Sequence, residues 1–507
     1  VSSIKKLASQ TIWYGFSNIV AKLLNVLLTP LYTYILHTPA GQADFGDFSI
    51  LYSGISFANV VYTYGMETAF FRFSSKKEID RDQLYQTSLA SLLISTLALT
   101  SIIFLFSNQL AAYVKFPDHP EYIKLAALII SVDTLAAIPF AKLRQDGRPR
   151  KYAFVRVAGV IVTIILTVWF MAFSPDWVPA HPNNAYSIWY QQSSNPAFMM
   201  IANLAGSLTT LLLLAPEWSK FRFSINAELW KQIIGYSAPF IIIGLGGMVN
   251  ETFDRIMLEH LLPNMTPQEV KIKVAVYSAN YRISIFITLF IQAFRMAAEP
   301  FFFAQSNDKQ APATYARVMK WFVITLCFAF LFTALFLDIW KYMIGSSYRW
   351  GLGVVPILLY ANMALGIYYN LSVWYKITDQ LKWGVIITLF GAALTLIMNF
   401  ALIPYYGMWA CAWATFSAYV SMMILSYFIG QRYLRVPYET GKMLGYIALI
   451  TILFFVQKAV FAGTEGASYS LPVRLLSGVV LMLCFVLVIG KRERKELQGL
   501  PVIGRYL

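Results

Sequence analysis

TIWYGFSNIVAKLLNVLLTPLYTYI, residues 11–35, decides the fold class. As a helix it rises roughly 37 Å at ~1.5 Å per residue, enough to cross a hydrocarbon layer of ~30 Å. Lys22 lies eleven residues in from Thr11, about halfway across. A central ammonium costs about 2.5 to 3.5 kcal/mol on insertion scales, so the position needs a reason. Spacing supplies one: Asn18, Lys22, Asn25 and Thr29 are four, three and four residues apart and fall on one helical stripe. This polar face on an apolar helix is expected to meet a partner or line a wet cavity.

The apolar pattern recurs to the end of the chain. Of 507 residues, 58% are hydrophobic and 13% charged, and the mean hydropathy is +0.58. No ordinary soluble domain of this length has that composition. Apolar stretches of about 20 residues predict an all-α polytopic membrane protein with about fourteen transmembrane helices. They fall near 11–35, 47–71, 85–113, 118–141, 152–174, 197–215, 232–260, 274–303, 318–340, 351–375, 383–404, 408–430, 442–463 and 472–490. The longest connection is the polar 174–196, leaving no room for a domain outside the membrane, so function is expected within the bundle.

The net charge of +15 raises the question of nucleic acid, and its distribution answers against it. One set of loops, with the span ends beside them, holds only Lys115, Lys124, Lys271, Lys273, Lys341 and Arg349, while six cations are assigned to the spans: Lys22, Arg255, Arg282, Arg295, Lys458 and Arg474. Every other Lys and Arg lies on the opposite side, which the positive-inside rule makes cytoplasmic, with both termini there. The basic KLRQDGRPRK at 142–151 reads as a topology signal touching anionic headgroups. Cys327, Cys411 and Cys484 fall inside spans without CxxC spacing, no histidines have HExxH spacing, and no GxxxxGK[ST] loop is present. Neither a metal site nor a cofactor is expected.

Weak internal likenesses suggest a repeat: residues 25–36 against 250–261, 45–49 against 274–278, and 66–71 against 298–303, at offsets drifting from 225 to 232. They predict two pseudo-symmetric six-helix lobes, 1–229 and 230–440, a terminal helix pair at 441–490 and a cytoplasmic tail at 491–507. Intramembrane charge concentrates in spans 1, 2, 4, 7 and 8. Thr288, Gln292, Arg295 and Glu299 form a second stripe, and the spacing of four sets Glu251 against Arg255 and Asn250 against Asp254. Glu67, Asp133, Glu251, Asp254 and Glu299 are candidate proton or sodium sites, or structural partners for the cations.

KKLASQTIWYGFSNIVAKLLNVLLTPLYTYIL, FGDFSILYS, GMETAFFRF, LRQDGRPRKYAF, YSAPFIIIGLGGMVNETFDRIML, VAVYSANYRIS and YGMWACAWAT together carry a resemblance. The chain resembles the multidrug/oligosaccharidyl-lipid/polysaccharide (MOP) exporter superfamily, and within it the bacterial polysaccharide-biosynthesis flippases. The resemblance covers essentially the whole chain and implies a protein of the bacterial inner membrane. There it would carry an isoprenoid-diphosphate-linked oligosaccharide from the cytoplasmic to the outer leaflet by alternating access between the lobes. It implies diphosphate contacts from Lys22 on span 1 and from Arg282 or Arg295 on span 8. Span 2 departs from the pattern, offering acidic Glu67 and, only at its end, Arg72. Arg255 is a further candidate, with Asn18, Asn25 and Gln292 as hydrogen-bonding partners for sugar or phosphate. No ATP motif is present, so a proton or sodium gradient, or passive flipping, would supply direction. Glycan synthesis and polymerisation proteins are candidate partners. The alternatives are a peptidoglycan lipid-precursor flippase, a drug or cation exporter of the same superfamily, and a membrane glycosyltransferase or glycan polymerase. Asp44 and Asp47 give the enzyme reading its residues, but the outer loops are too short for such a catalytic domain.

Overall fold

The computed structural model describes residues 19–74, 76, 78–305, 308, 310–378, 380–462 and 471–498; the side chains at 296, 297, 299, 300, 303, 304, 462, 495 and 497 fall outside that description. Asn18 and the Glu299 side chain therefore lie outside the described residues. The long helices are α1 Ile19–Ile35, α2 Pro39–Thr63, α3 Arg81–Leu105, α4 Pro120–Gln145, α5 Pro149–Ala180, α6 Asn195–Leu213 and α7 Ala227–Glu251. They continue as α8, in two pieces, Pro267–Ile283 and Ile285–Gln305, then α9 Ala311–Ala334, α10 Val354–Ile377, α11 Leu381–Tyr406, α12 Met408–Tyr433, α13 Thr440–Ala462 and α14 Leu471–Arg492. No strand occurs among the described residues.

Eleven of these helices are long and apolar enough to cross a membrane, or twelve with α8 counted as one bent span. The expected fourteen is reached only by adding α1, whose described part is 17 residues, and α2, 25 residues long. The described part of α1 is apolar but one residue short of a span, while α2 carries Gln42, Asp44, Asp47, Ser49, Ser53, Ser56 and Asn59 along its length.

Three breaks shape the bundle. In α1 a turn at Leu27 interrupts the helix, because Pro30 has no N–H to offer the Val26 carbonyl and its ring crowds that carbonyl. After α7 the chain breaks at Thr252, φ −135°, before the short helix Phe253–Leu261. The two breaks are 225 residues apart, the offset of the first sequence match. At Ser284 the two pieces of α8 meet at 46°, where the serine hydroxyl donates back to the Tyr281 carbonyl at 2.7 Å. Helices α2 and α8 also begin alike, 228 residues apart. Thr38 and Thr266 accept from the backbone N–H three residues on, each with proline at the first helical position.

The connections on the face away from Arg144 interlock. The Tyr34 hydroxyl donates to the Tyr342 carbonyl (3.0 Å), the Gly345 N–H to Thr33 Oγ1 (2.9 Å), the Tyr348 hydroxyl to the Leu36 carbonyl (2.6 Å) and the Lys115 ammonium to the Glu259 carbonyl (2.8 Å). Lys271 pairs with Asp47 at 2.9 Å. Here α2 and α8 touch backbone to backbone: a Cβ on Gly46 would lie 2.2 Å from the Lys271 carbonyl oxygen. Gly46→Leu should therefore pry the helices apart and lower stability by about 1–3 kcal/mol, read as thermal unfolding of the purified protein. An unchanged melting temperature would show that this contact does not hold the face shut.

The terminal helices α13 and α14 present apolar residues such as Leu444, Val460, Leu476 and Leu487 outward. Polar contacts fasten them at the basic end. The fully buried Lys320 ammonium of α9 donates to Glu439 (3.0 Å), Glu493 (2.8 Å) and Glu496 (2.8 Å). The Tyr446 hydroxyl donates to Glu493 at 2.5 Å, and Trp321 Nε1 to Glu496 at 3.0 Å.

Candidate functional site: a cationic cavity in the bundle

Six helices enclose a cavity of about 660 Å³. Its walls come from α1 (Lys22, Asn25), α2 (Tyr52), α4 (Asp133, Arg144), α5 (Arg156, Thr163), α6 (Asn203, Thr210) and the second piece of α8 (Gln292, Arg295), with Glu67 from the short helix Met66–Ser74. It extends from the middle of α1 to the end of α4 and the start of α5, the basic side of the bundle, while the interlocked connections close the other side.

Small residues make room for it. A Cβ on Gly159 would lie 2.3 Å from Thr210 Oγ1, and one on Gly206 would lie 2.1 Å from Thr163 Oγ1. Helices α5 and α6 thus approach through a reciprocal glycine–threonine contact on the cavity wall. Opposite, the Tyr52 hydroxyl donates to Asn203 Oδ1, and Asn203 Nδ2 donates to the Met199 carbonyl at 2.7 Å, so both side chains are held in place.

Four cations and two carboxylates face this space. Glu67 pairs with Arg144, and Asp133 faces Ser207 and Arg156. The Arg295 guanidinium lies 4.2 Å from the centre of the Tyr369 ring, an arrangement that suits its planar delocalised charge. Lys22 is half-buried, has Glu251 and Arg295 as its charged surroundings, and makes no ion pair among the described residues. The cavity thus holds a surplus of positive charge at mid-bundle depth, flanked by amide and hydroxyl groups. Such a site attracts an anion: an ammonium acts as a point charge, a guanidinium as a bidentate fork.

The structure brings Lys22, Asn25, Gln292 and Arg295 together with Glu67 and Asp133, but not Arg255 or Arg282. Arg255 is buried against Asp254 Oδ1 at 3.1 Å and the Glu251 carbonyl at 2.9 Å, with its guanidinium 4.5 Å from the Tyr281 ring centre. Asp254 in turn accepts from the Tyr277 hydroxyl at 2.5 Å, which closes the network. The expected Glu251–Arg255 side-chain pair is absent because the break at Thr252 turns the two residues off a common face. Arg282, on the first piece of α8, donates to Thr29 Oγ1 of α1 at 3.1 Å and lies over the Phe45 ring of α2, which holds it away from the cavity. Thr29 leaves the polar stripe for the same reason: the turn at Leu27 directs it into the core, where it is 1% exposed. Sequence reasoning missed Arg144 and Arg156, which it counted as topology charges. The available signal was Arg156's place several residues inside a span. Among the described residues no three His, Cys, Asp or Glu gather as metal ligands.

Residues 7–306 match the family described as "Polysaccharide biosynthesis protein". The fold is similar to that of the lipid II flippase MurJ in its inward closed conformation, with TM-score 0.70 and 14% identity over 95% of this chain and 99% of that one. It is also similar to an inward-facing multidrug resistance MATE family transporter of the MOP superfamily, TM-score 0.54 and 14% identity over 83% and 94% of the two chains. A MATE structure in the straight conformation gives TM-score 0.55 and 14% identity over 84% and 95%. No curated protein sequence matches the chain. With the family match spanning more than half its length, the chain belongs to the polysaccharide biosynthesis protein family; it is a multi-pass membrane protein whose fold is similar to that of both kinds of transporter.

Proposed function

We propose that the protein flips an isoprenoid-diphosphate-linked oligosaccharide from the cytoplasmic to the outer leaflet of the bacterial inner membrane. The observation that carries the reading is the cluster of Lys22, Arg156 and Arg295 in a cavity of about 660 Å³. A diphosphate meets these cations at mid-depth, and the sugars meet Asn25, Asn203, Gln292 and Thr210. The isoprenoid tail stays in the bilayer. Residues 1–229 and 230–440 act as the two halves of an alternating-access device, with 441–490 as an added helix pair and 491–507 as a tail. The break positions 225 residues apart support that division. Both termini then face the cytoplasm with the basic loops, and the cavity as described is the cytoplasm-facing state.

The cargo crosses unchanged. In sealed vesicles carrying the purified protein, the lipid-linked glycan should move to the far leaflet with its mass intact. A lengthened or released glycan would instead indicate a transferase. The fold likeness to a lipid II flippase supports a second reading, with a peptidoglycan precursor as cargo. The lipid that accumulates on depletion distinguishes the two.

Glu67 competes for one of the cavity cations. Replacing it by Gln releases Arg144 to the cargo. Because the pair is 31% and 43% exposed, the gain is small: about two- to fivefold tighter binding of the lipid-linked diphosphate in an equilibrium assay. Weaker binding would mean that Glu67 itself holds the cargo.

A further inference from the structure

A second hollow, of about 400 Å³, lies on the interlocked face, between the connection after α9 and the facing ends of α13 and α14. Among the described residues it gathers three cations, Lys341, Lys458 and Arg474, around one carboxylate, Asp338. That face is otherwise poor in Lys and Arg, in keeping with the positive-inside rule, so three cations at one hollow depart from the pattern. Asp338 takes Lys341 at 2.6 Å and Arg474 at 3.4 Å, leaving the site with surplus positive charge. Lys458 has no acidic partner among the described residues. Arg474 Nε is buried with no hydrogen-bond partner among them. Gln457, bonded to the Leu335 carbonyl at 3.2 Å and Ser477 Oγ at 3.3 Å, fixes the floor. Beneath the charges the lining turns apolar, with Leu335, Leu352, Phe454 and Phe461. Around it Val460 and Val473 face outward, 57% and 43% exposed.

We infer that this hollow binds an anionic phospholipid of the outer leaflet, its phosphodiester held by Lys341, Lys458 and Arg474 and its acyl chains lying against α13 and α14. Charge complementarity selects the occupant. A zwitterionic lipid brings its own cation, which the three protein cations repel, whereas an anionic headgroup neutralises the surplus. The apolar lower wall suits a lipid over a free ion. Its binding would tie the loosely packed terminal pair to the connection after α9. The inference does not depend on which cargo the central cavity carries.

The test uses the purified full chain in detergent, with retention of added lipid read by native mass spectrometry and stabilisation read by thermal unfolding. The probes are phosphatidylglycerol, phosphatidylcholine and sodium phosphate. Phosphatidylglycerol should bind and stabilise, phosphatidylcholine should do neither, and sodium phosphate should compete weakly. Lys458→Gln, which removes an exposed ammonium without stranding a carboxylate, should weaken phosphatidylglycerol about tenfold. Arg474→Gln should weaken it at least as much. Lys22→Gln in the central cavity should leave this binding unchanged. Equal retention of both lipids, unchanged phosphatidylglycerol affinity in both variants, or full stabilisation by sodium phosphate alone would each overturn the inference.

Discussion

Lys22→Gln is expected to cut glycan export at least tenfold while the protein still inserts and folds. The substitution nearly preserves side-chain size and polarity and removes only charge. Since Lys22 makes no ion pair among the described residues, its removal strands no buried carboxylate, and the folding cost stays small. What is lost is the attraction for the cargo's diphosphate. A hydrogen bond to a charged group is worth about 1.5–3 kcal/mol, which converts to roughly ten- to a hundredfold. Export is read as glycan at the cell surface, alongside the amount of protein in the membrane. Full export with normal protein levels would remove Lys22 from the mechanism. Arg295→Gln is a poorer probe, because its guanidinium also lies over Tyr369 and its loss disturbs packing as well as charge.

Lys320→Ala should destabilise the protein by about 3–5 kcal/mol, the usual cost of breaking a buried ion pair by removing one partner. The ammonium is fully buried and serves Glu439, Glu493 and Glu496 at once. Without it Glu493, 2% exposed at its side chain, keeps as its ion-pair partner among the described residues only the distant Lys442 ammonium, 3.9 Å away and shared with Glu439. Since α13 and α14 have little other buried surface, the damage should concentrate there. Hydrogen exchange over 440–460 and 471–492 should rise well before exchange in α9 and α10. Uniform loosening of the bundle would contradict this assignment.

Acid should mimic the same loss. The Lys442 hydrogen bond, with help from Lys320, holds the Glu439 carboxyl below its ordinary value of 4.5. Burial works against ionisation of Glu496, but Lys320 and Trp321 outweigh it and hold that carboxyl low as well. A depressed carboxylate contributes its stability above the ordinary value and loses it as pH falls through the lowered one. The terminal pair should therefore stay attached at neutral pH and loosen only below about pH 4.5. Loosening already at pH 6 to 7, followed by exchange at α14, would assign the attachment to other groups.

The sequence was most informative within unbroken helices. Lys22 with Asn25, and Gln292 with Arg295, reach one cavity because each pair is three residues apart on a continuous helical turn. The same arithmetic failed across Leu27 and Thr252, sending Thr29 into the core and pairing Arg255 with Asp254 instead of Glu251. Pro30 was an available signal for the first break that the stripe through Thr29 passed over, whereas nothing so plain marks the second. Arg144 and Arg156 were hidden for another reason. A cation at the basic end of a helix satisfies the positive-inside rule whether it faces headgroups or a cavity, and only the assembled walls of α4, α5 and α6 decide which. The terminal anchor was equally out of reach, since Lys320 meets carboxylates 119 to 176 residues away.

The most direct test of the central claim is equilibrium binding of an isoprenoid diphosphate, stripped of sugars, to the purified wild-type and Lys22→Gln proteins, with the uncharged isoprenoid alcohol as reference. The diphosphate should bind the wild type at least tenfold more tightly than the variant, and the alcohol should not distinguish them. If both lipids bind the two proteins alike, the cavity cations do not receive the diphosphate and the account is wrong.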